Sequence, residues 1–212
     1  LKERGVTEVC FAGSIRRPPL DPGRLDAETQ PLVPRLMAAL QQGDDAALRV
    51  VLSFFEEAGI AIRAAHEIEP GLLPPSGCLS ERQVSRDVGE ETIRARQFIK
   101  ALADADIGQA CVVARGQCLA LEASFGTDWM LKSLAARPDN GGGLLYKAPK
   151  PGQDRRIDLP TIGPETVALA HAAKLDGIVI EAGGVMVLDL EATVAAANAA
   201  GLFLWVEKVE SS

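Results

Sequence analysis

From residue 109 onward, short apolar runs alternate with amphipathic or alanine-rich stretches, and this alternation most limits the folds open to the chain. Residues 110–114 and 117–122 read as a hairpin turning at Arg115-Gly116. Residues 128–136 read as a helix with Thr127 as its N-cap. A strand over 144–147 follows Gly141-Gly142-Gly143, and a helix over 164–174 opens on Pro164. Strands over 178–181, 183–188 and 202–206, with a helix over 190–200, complete the series. Upstream, strands over 6–12 and 60–64 flank helices over 31–41 and 44–58, the second stopping before Gly59. A charged helix is expected from 89 to about 105. Strands alternating with helices define an α/β protein.

A chain of 212 residues forms one large or two small domains. The Pro- and Gly-rich run 70–77 is the natural linker and divides the chain into 1–70 and 71–212. Leu1 to Gly5 reads as the last turn of a helix with a glycine cap. The N-terminal α/β domain is therefore expected to be incomplete, with its upstream part missing from this chain.

Hydrophobic residues make up 47% of the chain and aromatic ones only 4%, so aliphatic side chains must fill the core. A net charge of -7 argues against a general nucleic-acid binder, which needs a basic face. No apolar run reaches the roughly 18–20 residues of a membrane span. The four cysteines, Cys10, Cys78, Cys111 and Cys118, form no C-x-x-C pair and read as free thiols of a reducing compartment. A Cys111–Cys118 disulfide across the hairpin is a minor alternative. His66 and His171 are the only histidines and have no ligand-spaced partner, which argues against zinc.

Chemistry concentrates in residues 147–163. Lys147, Lys150, Arg155 and Arg156 lie within ten residues, beside Asp154 and Asp158. Pro149, Pro151 and Pro160 forbid a regular helix there. In an extended segment Asp154, Arg156 and Asp158 would share one face. Cations beside carboxylates suit a phosphorylated substrate and a divalent metal. Gly126-Thr127-Asp128 opens a helix, where a phosphate is favoured, although locally capping by Thr127 or Asp128 explains it better. Gly13-Ser14 and the cations Arg16 and Arg17 follow a strand's carboxyl end. Gly141-Gly142-Gly143 is not a P-loop; it is a flexible turn, a lid hinge or a close backbone approach. Glu181 reads as a turn residue or a site carboxylate.

Taken together, Gly143-x-Leu-x-Lys147-x-x-Lys150-Pro-x-Gln153-Asp154-x-Arg156-x-Asp158-x-Pro160-x-x-Gly163-Pro resembles the signature of the LpxI-type UDP-2,3-diacylglucosamine pyrophosphatases. Gly13-Ser14-Ile-x-Arg17-Pro, Gln109-x-x-Val-Val-x-x-Gly116, Leu121-Glu122-Ala, Gly126-Thr127-Asp128 and Glu181-Ala-Gly extend it over nearly the whole chain. Phe125 departs from the pattern, which has an acidic residue there.

The resemblance implies two small mixed α/β domains holding substrate between them, with about seventy residues missing ahead of Leu1. It implies a Mg²⁺-dependent hydrolase of Gram-negative lipid A biosynthesis. Such an enzyme cleaves the diphosphate of UDP-2,3-diacylglucosamine, by water attack at the β-phosphorus, into UMP and 2,3-diacylglucosamine 1-phosphate (lipid X). Asp154, Asp158 and Lys150 are the expected catalytic residues, with Asp154, Asp158 and Glu122 as metal ligands. Lys147, Gln153, Arg156, Gly126, Thr127, Asp128, Ser14, Arg17 and Thr161 are the expected substrate contacts. The amphipathic substrate so implied calls for a cytoplasmic enzyme visiting the inner-membrane surface, and an exposed apolar surface leaves a homodimer open. The competing reading is a nucleotide- or sugar-phosphate-binding module that cleaves nothing.

Overall fold

The computed structural model describes residues 1–13, 25–41, 44–103, 105 and 107–209. Ser14, Arg16 and Arg17 lie outside the described residues. Contacts divide the chain into two units, Leu1–Glu69 with Asp154–Asp158, and Pro70–Gln153 with Leu159–Ser212. The chain thus leaves the second unit for five residues in the middle of the charged segment.

In the first unit, a 3-10 turn over Lys2–Arg4 ends at Gly5, whose φ of 72° is left-handed. Strands β1 (Glu8–Val9) and β2 (Ala61–Ile62) pair in parallel. Both are shorter than expected. Helices α1 (Val33–Leu40) and α2 (Asp44–Glu57) connect them, and a single turn, α3 (Ala65–Ile68), follows β2. Phe11 meets Phe55 of α2 edge-on, with ring centroids 5.2 Å apart.

The second unit is built on one six-stranded sheet. Its strands are β3 (Gly77–Cys78), β4 (Ala110–Ala114), β5 (Gln117–Leu121), β6 (Leu144–Lys147), β8 (Gly177–Glu181) and β10 (Phe203–Glu207), in the order β3-β10-β8-β6-β4-β5. Strands β6, β8 and β10 run parallel, while β3, β4 and β5 run antiparallel to their neighbours. Two short strands, β7 (Thr161–Ile162) and β9 (Met186–Val187), pair beside it. The helices are α4 (Arg86–Ala103), α5 (Gly126–Leu134), α6 (Pro164–Ala172) and α7 (Leu190–Ala200).

Alternation along the strands creates two cores. Leu145, Ile178, Ile180 and Leu204 face one way and pack with Met130, Val167 and Ala197 of α5, α6 and α7. Leu144, Tyr146, Val179 and Phe203 face the other way and meet α4. Helix α4 presents Val88, Thr92, Ala95 and Ile99, a stripe at helical spacing. Because β4, β6 and β8 are covered on both faces, they read as continuous apolar runs.

Of the local expectations, the free cysteines are borne out and the N-cap at Thr127 is not. The linker region 70–77 is ordered as a 3-10 turn over Pro70–Leu72 leading to β3. Helix α5 begins at Gly126, so Thr127 is inside it and buried rather than capping it. Cys111 pairs with Leu121 and Cys118 with Val113 across the hairpin, and all four cysteines are free.

Candidate active site

The carboxyl ends of β6 and β8 deliver Lys147 and Glu181 to one edge of the sheet. Lys147 is 8% exposed. Its Nζ donates to Thr127 Oγ1 at 2.7 Å and to the Thr161 carbonyl at 3.2 Å. The ammonium is therefore held by the first turn of α5 and the start of β7. Three residues expected to contact substrate, Lys147, Thr127 and Thr161, are brought together. In the sequence Lys147 and Thr161 belong to the charged segment and Thr127 to a separate motif. The first-turn residues Gly126 and Asp128 accompany Thr127, with Asp128 exposed. On the neighbouring hairpin, Glu122 accepts the Gln109 N–H at 3.1 Å.

After Lys147 the chain turns rather than runs extended. The Gln153 side chain accepts the Lys150 N–H at 3.1 Å, and the Gln153 N–H donates to the Lys150 carbonyl at 3.3 Å. Beyond that turn, the N–H groups of Ile157 and Asp158 both donate to the Asp154 carbonyl at 3.2 Å. This second turn overturns the expectation that Asp154, Arg156 and Asp158 lie along one face of an extended strand. The physical reason is the Asp154 side chain. Its Oδ1 accepts the Arg156 N–H at 3.0 Å and closes the turn locally, as Asp does readily.

Arg156 also grips Asp154 with its guanidinium, through Nε at 3.0 Å and Nη2 at 2.7 Å. Its Nη1 reaches Glu56 of α2 at 2.6 Å. Arg156 hydrogen bonding holds the Asp154 carboxyl below the usual carboxylate range, and burial opposes this less strongly. Asp154 is therefore a fixed anion on a pinned turn. Glu56 was not legible beforehand, because nothing in a helical Glu marks a partner a hundred residues away.

Carboxylates are the hard oxygen donors that Mg²⁺ takes, and the ion commonly uses one or two of them, completing its shell with water and substrate phosphate. Asp154 and Asp158 lie four residues apart on one turn, with both Asp154 oxygens accepting from Arg156. Among the described residues no group of three or more His, Cys, Asp or Glu side chains is gathered for a metal.

The glycine run serves packing. Gly143 has φ +93°, and a Cβ there would lie 2.4 Å from the Val113 carbonyl oxygen. Arg137, buried beneath it, donates to the Gly142 carbonyl at 2.9 Å and pairs with Asp139. Close backbone approach is thus what the glycines permit. On the α4 face, Arg96 pairs with Glu207 against buried Tyr146, and burial raises both the Glu207 carboxyl and the Tyr146 hydroxyl. Neither pair was anticipated, since each joins residues that are unremarkable in isolation. No helix among the described residues is long and apolar enough to cross a membrane.

Residues 1–72 match the family profile of the LpxI N-terminal domain, and residues 75–205 match that of the LpxI C-terminal domain. The chain is 41% identical over 211 residues to the UDP-2,3-diacylglucosamine pyrophosphatase LpxI of Caulobacter vibrioides, covering 96% of this chain and 75% of that protein. With two family domains in order along nearly its whole length and this degree of identity to a member, the chain belongs to the LpxI family.

Proposed function

We propose that this protein hydrolyses the diphosphate of UDP-2,3-diacylglucosamine, releasing UMP and 2,3-diacylglucosamine 1-phosphate for lipid A synthesis. One observation carries the reading on the structural side: a buried lysine, Lys147, whose ammonium is fixed at the carboxyl edge of the sheet by Thr127 and Thr161. Ligands of α/β sheets sit at that edge. A cation positioned in advance stabilises charge that develops on a phosphoryl oxygen without reorganising during the reaction.

In the proposed reaction a water oxygen bonds to the β-phosphorus. The bond from that phosphorus to the bridging oxygen breaks, and UMP departs with the bridging oxygen. The sugar phosphate retains the oxygen from water. Lys147 and Lys150 balance charge on the diphosphate. Arg156 keeps Asp154 ionised and oriented. Gly126, Thr127 and Asp128 at the start of α5, with Gln153, Thr161, Ser14 and Arg17, bind phosphate and sugar. Asp154 and Asp158 would hold Mg²⁺, which would supply polarisation of a phosphoryl oxygen and acidification of water. The protein acts at the membrane surface, where its diacylated substrate resides.

The test measures UMP release from UDP-2,3-diacylglucosamine in detergent micelles. The intact protein should release UMP with Mg²⁺ and stop with EDTA. Asp154→Ala and Lys147→Met should each lose at least about a hundredfold in rate while remaining folded. Tight retention of the lipid by intact protein without UMP release would instead make it a binding module.

A further inference from the structure

Helix α5 opens on an aromatic pair that remains uncovered. Phe125 is 75% exposed and Trp129 58% exposed, with ring centroids 5.4 Å apart. Their i,i+4 spacing puts them on one face. Leu121, at the end of edge strand β5, adds a third exposed apolar side chain. The other face of α5 is already anchored, since Thr127, Met130 and Leu131 are buried. The aromatic face is therefore surplus to folding.

Size and charge narrow what covers it. A large aromatic side chain carries about 150–250 Å², so the pair exposes on the order of 300 Å². A stable protein partner needs roughly 800 Å² on each side. The patch is too small for a second copy of the chain, but it suits shallow insertion into a lipid interface. Exposed Asp128, Lys132 and Ser133 share the helix and supply a polar rim. Indole rings favour headgroup depth because one end is apolar and the N–H seeks water. A net charge of -7 gives no electrostatic pull toward anionic lipid. Thr127 stands between the two rings in sequence, yet its hydroxyl accepts from Lys147 in the site.

We propose that the Phe125–Trp129 face of α5 docks this protein on a phospholipid bilayer by shallow insertion of both rings, beside the site that takes the diacylated substrate. The role of this docking rests on the function proposed above.

The test uses the full chain with phosphatidylcholine vesicles and no substrate. Trp129 fluorescence should shift to the blue and be quenched by brominated phospholipid. Co-sedimentation with vesicles should fall at least tenfold in the double variant Phe125→Ser/Trp129→Ser, and added salt should not weaken it. Either single variant should show an intermediate loss, and the singles carry the test if the double variant does not fold. Trp129→Phe should retain partition while losing the signal. Wild-type protein that fails to partition would overturn the proposal, as would a folded double variant that partitions normally. A concentration-dependent dimer that buries Trp129 without lipid would also overturn it. UMP release in detergent micelles is read separately. Lost partition with no wild-type hydrolysis sinks the proposed function alone, whereas intact hydrolysis with unchanged partition sinks the docking surface alone.

Discussion

Asp154 shows how one side chain shapes the site. Its carboxylate accepts from the Arg156 backbone and guanidinium, which lowers its affinity for a proton. A group whose folded pKa is depressed contributes stability in full above its unfolded value and loses it as pH falls through the folded value. The wild-type urea midpoint should therefore fall as pH drops below about 4, with Asp154 contributing to the loss. Asp154→Asn should be less stable than wild type near neutrality and should show a flatter acid limb. Equal slopes for the two proteins would mean that Arg156 does not couple to Asp154 in solution. The segment's charge was visible in the sequence. Its turn was not, because alternation assumes an extended backbone and the Asp154 side chain supplies the bonds that bend it.

At the scale of elements, the sheet rests on a contact that only glycine allows. A Cβ on Gly143 would meet the Val113 carbonyl oxygen at 2.4 Å and the Ala114 Cβ at 2.5 Å, with φ at +93°. Gly143→Ala should cost about 2–4 kcal/mol, the strain of a left-handed residue plus displacement of β4 from β6. Gly116→Ala in the hairpin turn, with φ +72° but nothing within 4 Å, should cost about 1 kcal/mol. Urea midpoints of the two variants check the difference, and equal losses would refute the close-approach account. The hairpin and α6 were legible within a residue or two because glycine and proline punctuate them, and α7, capped by Asp189, matched the expected helix. Strands β1 and β2 were read too long, since apolar runs do not show how much of their length finds a partner. Helix α4 begins three residues before the expected start, where Val88 joins its buried stripe.

For the molecule as a whole, the division of contacts matters most. Residues 154–158 belong to the first unit, although the chain enters and leaves them from the second. Within that unit Arg156 reaches Glu56 of α2. A fragment spanning 70–212 should therefore keep the six-stranded sheet and unfold cooperatively, yet release no UMP. Far-ultraviolet circular dichroism with a urea titration checks the first expectation, and the UMP assay checks the second. A fragment as active as the intact protein would show that residues 1–69 contribute nothing to the turn's chemistry.

The sequence by itself determined the α/β class, the order of most elements, the family and the cationic, carboxylate-bearing segment. Each of these is written in local periodicity, in turn residues or in a motif of contiguous residues. Only the tertiary structure decided that Lys147 is buried against Thr127 and Thr161, that Arg156 bridges Asp154 and Glu56, and that Phe125 and Trp129 stay uncovered. Such contacts and exposures depend on which distant segments packing brings together, and no local pattern carries that information.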